Sequence, residues 1–165
     1  MARVLVVGYG NPMRSDDGVG WRVALELLRT NSSPHVEILA CHQLTPELVE
    51  PVSLAETVLF IDCARSGDAG AVRCEPVQPQ PSAASFTHDL TPSALLALGS
   101  ELYGACPKAF LLSIPGENYE PGESLSDAVR SQIPALEVMA RRIIDESLSR
   151  NSFCAGSVLL VGNEI

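Results

Sequence analysis

Cations are scarce in this chain. Lys108 is its only lysine, lysine and arginine together number 11 against 20 acids, and the formal charge is −9. Such a surface repels a phosphate backbone, so nucleic-acid binding is not expected. No apolar run approaches the roughly 18 residues that a membrane-crossing helix needs. The start, Met1-Ala2-Arg3 before Val4-Leu5-Val6-Val7, is too short for a signal-peptide core, and the chain is read as cytoplasmic. The five cysteines (Cys41, Cys63, Cys74, Cys106 and Cys154) form no Cys-x-x-Cys pair. Neither a zinc knuckle nor a dithiol redox site is indicated, and reduced structural thiols are expected. A Walker pattern and a Gly-x-Ser-x-Gly elbow are also missing.

What is present describes one α/β domain. At 165 residues and 46% hydrophobic composition the chain can bury a real core. Arg3–Val7 reads as a strand buried on both faces and ends at Gly8-Tyr9-Gly10-Asn11-Pro12, a turn signal. A helix is expected from about Asp17 to Arg29, with Val19, Val23 and Leu27 on its inner face and Trp21, Leu25 and Leu28 widening that stripe. Arg22, Glu26 and Arg29 would form ion pairs on its wet side. Residues 35–41 read as strand two, Thr45-Pro46 as a capped helix start, and Thr57–Asp62 as strand three. The gap from Arg65 to Gly70 is too short for a crossover helix, so the next strand, near Ala71–Cys74, is expected to pair antiparallel to strand three.

After a proline-rich connection, Thr91-Pro92 starts a helix carrying Leu95, Leu96 and Leu98, and Ala109–Ile114 forms a fifth strand. A long helix from Leu125 to about Ser149 breaks or restarts at Pro134. The expected architecture is a single-domain, mixed but mostly parallel, five-stranded twisted sheet with helices on both faces. It occupies residues 1–150. Residues 151–165 form a C-terminal tail that the sequence does not assign, with Val158–Val161 as a short strand or a loose segment.

Ligands of an open α/β sheet bind beyond the carboxyl ends of the strands. Three acid- or imidazole-bearing segments meet that condition. Gly8-x-Gly10 opens like a dinucleotide fingerprint, but Met13 replaces its third glycine, and Asp16 and Asp17 stand where a pyrophosphate would have to sit. Two carboxylates there suit a cation. The plainer reading of both is helix capping, but two acids flanked by Gly18 and Gly20 exceed what a cap needs, and the glycines suggest close approach of another group. Asp62 ends an apolar run and must be solvated, paired or metal-bound; a turn cap is the plainer alternative. His88, in Phe86-Thr87-His88-Asp89, supplies an imidazole unless it merely lies on the surface, as is expected of His35. His42 shares the strand-two loop on the same side of the sheet. Two carboxylates and an imidazole suit a borderline divalent ion such as nickel or zinc.

These residues resemble a known family. The string Gly8-x-Gly10-Asn11-Pro12-Met13-x-x-Asp16-Asp17-Gly18-x-Gly20 is similar to the opening of the nickel–iron hydrogenase maturation endopeptidases. The resemblance continues through Phe60-Ile61-Asp62-Cys63-Ala64, His88-Asp89-Leu90 and Ser113-Ile114-Pro115. It implies a mixed sheet between helices, with Asp17, Asp62 and His88 matching the three metal-ligand positions and Asp16 an acidic neighbour. It also implies catalytic use of Asp17 and Asp62, with Asp16 possible. The substrate would be a hydrogenase large-subunit precursor whose C-terminal extension is removed. The nickel would be supplied by that precursor, with no organic cofactor. The chain departs from the family after strand two, where Cys41-His42-Gln43-Leu44-Thr45-Pro46 replaces a Gly-Thr-type turn. A metal-binding chaperone that engages the same precursor without cutting it, and a flavodoxin-like nucleotide module, are the rival readings. Cys63 beside Asp62 is a conceivable nucleophile, but neighbouring strand residues face opposite ways.

Overall fold

The computed structural model describes residues 3–82 and 90–154. His88 and the segment 155–165, including Val158–Val161, lie outside the described residues. Five strands, β1 (Val4–Tyr9), β2 (Val36–Cys41), β3 (Thr57–Ala64), β4 (Arg73–Pro76) and β5 (Lys108–Pro115), form one sheet in the order β2-β1-β3-β5-β4. The first four in that order run parallel, and β4 alone is antiparallel. Val4 to Val7 of β1 are all 1% exposed or less, which explains the unbroken apolar run: a central parallel strand has no wet face.

Helices cover both faces. One is packed by α1 (Val19–Thr30), α4 (Asp127–Arg130) and α5 (Ile133–Cys154) against Val4, Val6, Leu59, Ile61 and Leu112. The other is packed by α2 (Val49–Leu54) and α3 (Pro92–Tyr103) against Leu5, Val7, Val58 and Phe60. Alternate residues of each strand thus serve opposite cores. Thr91 caps α3 as expected, its side chain accepting from the Ala94 N–H at 3.2 Å. Thr45 does not cap; Pro46–Leu48 forms a short 3₁₀ turn before α2. Pro134 sits in the first turn of α5, where its missing N–H costs nothing, so it restarts the helix after α4. No helix among the described residues is long and apolar enough to cross a membrane.

Two further expectations fail. First, β4 does not pair with β3. β5 occupies that slot, parallel to β3 from Thr57↔Lys108 to Ala64↔Pro115, and β4 lies outside it, pairing from Arg73↔Ser113 to Pro76↔Phe110. Burial decides the order. β5 brings Ala109, Leu112 and Ile114 to the cores, whereas every residue of β4 is exposed. The turn between β3 and β4, with positive φ at Gly67 (114°) and Gly70 (81°), carries the chain past the inner position. Second, Leu25 and Leu28 do not widen the inner face of α1. Val19, Val23, Ala24 and Leu27 are buried, but Leu25 and Leu28 are 38% and 50% exposed. On the wet side Arg29 pairs with Glu26 at 2.9 Å, while Arg22 turns away to the Glu123 carbonyl.

Candidate functional site

The chain leaves β1 toward β2 on one side and returns to place β3 on the other. The gap beyond the carboxyl ends of β1 and β3 is therefore a topological switch point, where open α/β sheets bind ligands. The β1–α1 segment folds over it. Ser15–Gly18 form a 3₁₀ turn before α1, so the helix starts at Val19, two residues after the acid expected to begin it. The glycines do mark close approach, but by the protein's own backbone. A Cβ on Gly10, whose φ is +139°, would lie 1.9 Å from the Asp17 carbonyl oxygen, and one on Gly20 would lie 2.2 Å from that of Ile61. Helix α1 can thus press directly onto β3.

The two neighbouring acids part company here. Asp16 is fully buried. One of its carboxylate oxygens accepts from the Glu117 N–H (2.8 Å), the Asn118 N–H (2.9 Å) and the Ser126 hydroxyl (2.8 Å). The other accepts from the Ser126 N–H (2.8 Å). Burial pushes its pKa up, but these donors outweigh that and hold it below the ordinary value. Ser15 strengthens the clasp by donating to the Glu120 carbonyl at 2.7 Å and by taking the Gly122 carbonyl on its N–H at 2.8 Å. Asp16, considered above as a possible catalytic acid, therefore has its carboxylate committed to fastening the loop 117–126.

Asp17 is half-buried and lines a cleft of about 1210 Å³ at the switch point. One of its oxygens accepts from the Asn11 N–H at 2.9 Å, and the Asn11 side chain accepts from the Met13 N–H at 2.9 Å, which fixes the turn. Asp62 lines the same cleft. It lies before the end of its strand, because the ladder with β5 continues through Cys63 and Ala64. Its oxygen accepts from the Cys63 N–H at 2.7 Å, and its side chain is hydrogen-bonded to the Tyr9 hydroxyl. Burial raises the Asp62 pKa to about 6; the bonds from Cys63 and Tyr9 work against that rise, nearby Asp17 adds to it, and Arg65 reduces it. Burial, and then the charge of Asp62, push the Tyr9 phenol well above its usual range.

Two of the three expected ligands thus share one cleft; the third, His88, is outside the described residues. Among the described residues no three His, Cys, Asp or Glu side chains converge as a metal site. His42 also lines the cleft, at the wall away from β4. Cys63 borders the cleft, but its thiol lies against the Tyr119 hydroxyl in the opposite core, and burial raises it to about 11, which leaves little thiolate for nucleophilic attack. Sequence reading missed Tyr9, although its parity with Leu5 and Val7 places it on the Asp62 face. It also missed residues 75–80 as a wall of the cleft.

No family model and no curated protein matches the chain. Solved structures do. The hydrogenase maturating endopeptidase HybD from E. coli is 22% identical, with a TM-score of 0.74 over 88% of this chain and 93% of that one. The nickel–iron hydrogenase maturation protease HycI from Thermococcus kodakarensis is 25% identical, with a TM-score of 0.68 over 90% and 93%. A hydrogenase 2 maturation peptidase from a Thaumarchaeota archaeon is 22% identical, with a TM-score of 0.62 over 87% and 98%. The family that the sequence motifs resemble is thus the one whose fold this chain has.

Proposed function

We propose that this chain is a nickel–iron hydrogenase maturation protease, an endopeptidase that removes the C-terminal extension of a large-subunit precursor once nickel has been inserted. The observation that carries the reading is the meeting of Asp17 and Asp62 in one cleft at the switch point of a sheet shared with such proteases. The cleft, about 1210 Å³ in volume, has room for a peptide segment, and its acids suit a cation brought by the substrate. Asp17 and Asp62, with His88 as the third ligand, would face that nickel, which would polarise the scissile region when bound.

The chain's own groups then hold the peptide and manage protons. Asn11 fixes the Asp17 carboxylate by its N–H. Asp62, bonded to the Tyr9 hydroxyl, would use an oxygen left free of the metal to take a proton from an attacking water and return it to the leaving amine. Cleavage is of the aspartic, metal-assisted type, with water as nucleophile. The test is a gel shift of the precursor with and without nickel loading. We expect shortening of the loaded form alone; equal shortening of both would remove the metal from recognition, and none of either would refute the protease.

A further inference from the structure

Leu25 and Leu28 are apolar side chains that the core does not use. With Trp21 they stand at i, i+4 and i+7, one line along α1. The line lies between the buried side of the helix and its Glu26–Arg29 side. At the cleft end the Trp21 ring meets His42 edge-on, with centroids 6.3 Å apart and planes at 66°. His42 lines the cleft, so the apolar line begins at a cleft wall and continues over the outer surface. The opposite wall differs. There Glu75, Gln78 and Gln80 are mixed with Pro76, Val77 and Pro79, and most of these are exposed.

A peptide lying in the cleft belongs to a folded protein, and that protein's body must rest against one wall. Exposed apolar side chains continuous with a binding cleft mark a docking face, and tryptophan is a typical anchor where such a face meets the cleft. We propose that the face running from His42 and Trp21 through Leu25 and Leu28 receives the folded body of the precursor, through an apolar patch on that body, while its tail enters the cleft. This rests on the protease reading given above.

The test measures both binding and shortening of a nickel-loaded large-subunit precursor by the full chain. Leu25→Asp/Leu28→Asp should weaken binding and raise KM by about tenfold or more, with kcat at saturation retained. Val138→Asp alters an apolar side chain that is 68% exposed on a different helix, α5, and should change neither constant. Unchanged binding by the double variant, or an equal loss in Val138→Asp, would overturn the docking face. So would a wild-type dimer that the double variant dissolves without any change in KM, because that outcome gives the face to a second copy. A wild-type protein that binds but does not cut would defeat the protease reading and still leave the docking face to be scored by binding. One that does not bind would defeat both.

Discussion

Asp16 and Asp62 are both carboxylates drawn out of water, and their pKa values move in opposite directions. Around Asp16 three backbone N–H groups and a hydroxyl converge, and the charged form wins despite complete burial. Around Asp62 one N–H and the Tyr9 hydroxyl are too few, and burial lifts its pKa to about 6. The number of donors, rather than depth, separates a carboxylate that holds the fold from one with capacity left for a substrate.

The largest effect should come from Asp16→Ala. It leaves the N–H groups of Glu117, Asn118 and Ser126 buried without their acceptor, at a cost of about 3–5 kcal/mol. Thermal melts would show it, and a Tm near the wild-type value would break the contrast. Asp17→Ala and Asp62→Ala should behave the other way, lowering precursor shortening by about 100-fold or more while Tm moves little. Full activity in both would remove the site.

The pH dependence of stability should also split the pair. Asp16 is held below 3.8 in the fold, so its contribution is complete above 3.8 and is lost as pH falls through the lower folded value. Asp62 is held above 3.8, so its contribution is complete below 3.8 and is lost as pH rises to about 6. Denaturation of Asp62→Asn across that window should therefore give a flatter curve than wild type; an unchanged slope would mean that Asp62 titrates normally. The smallest effect is expected from Tyr9→Phe. Removing a hydroxyl that favours the charged form should raise the Asp62 pKa further, visible in a carboxyl titration by NMR, and slow cleavage by about tenfold or less.

Much of this was legible in the sequence because it is local. The runs that became β1, β3 and β5, the inner face of α1 and the Thr91 cap each depend on residues within one or two turns of one another. Asp17 and Asp62 could be placed because strand ends and topology fix where a crevice must be. The role of Asp16 could not, since its donors lie 101 to 110 residues away. Nor could the place of β4, which depends on a later strand with a stronger claim to the inner slot. Leu25 and Leu28 fit the helical period but not the core, because the period sets direction around the axis and not how far the neighbouring layer extends.

The outer strand β4 has a consequence for handling this protein. An open sheet border can recruit passing chains and seed filaments. Of the two borders of this sheet, the one formed by β4 is four residues long, runs against the other strands and closes on Pro76, which has no N–H to offer. Replacing Pro76 by a β-branched residue would lengthen a sticky rim, and concentrated solutions should then scatter light well before the melting temperature.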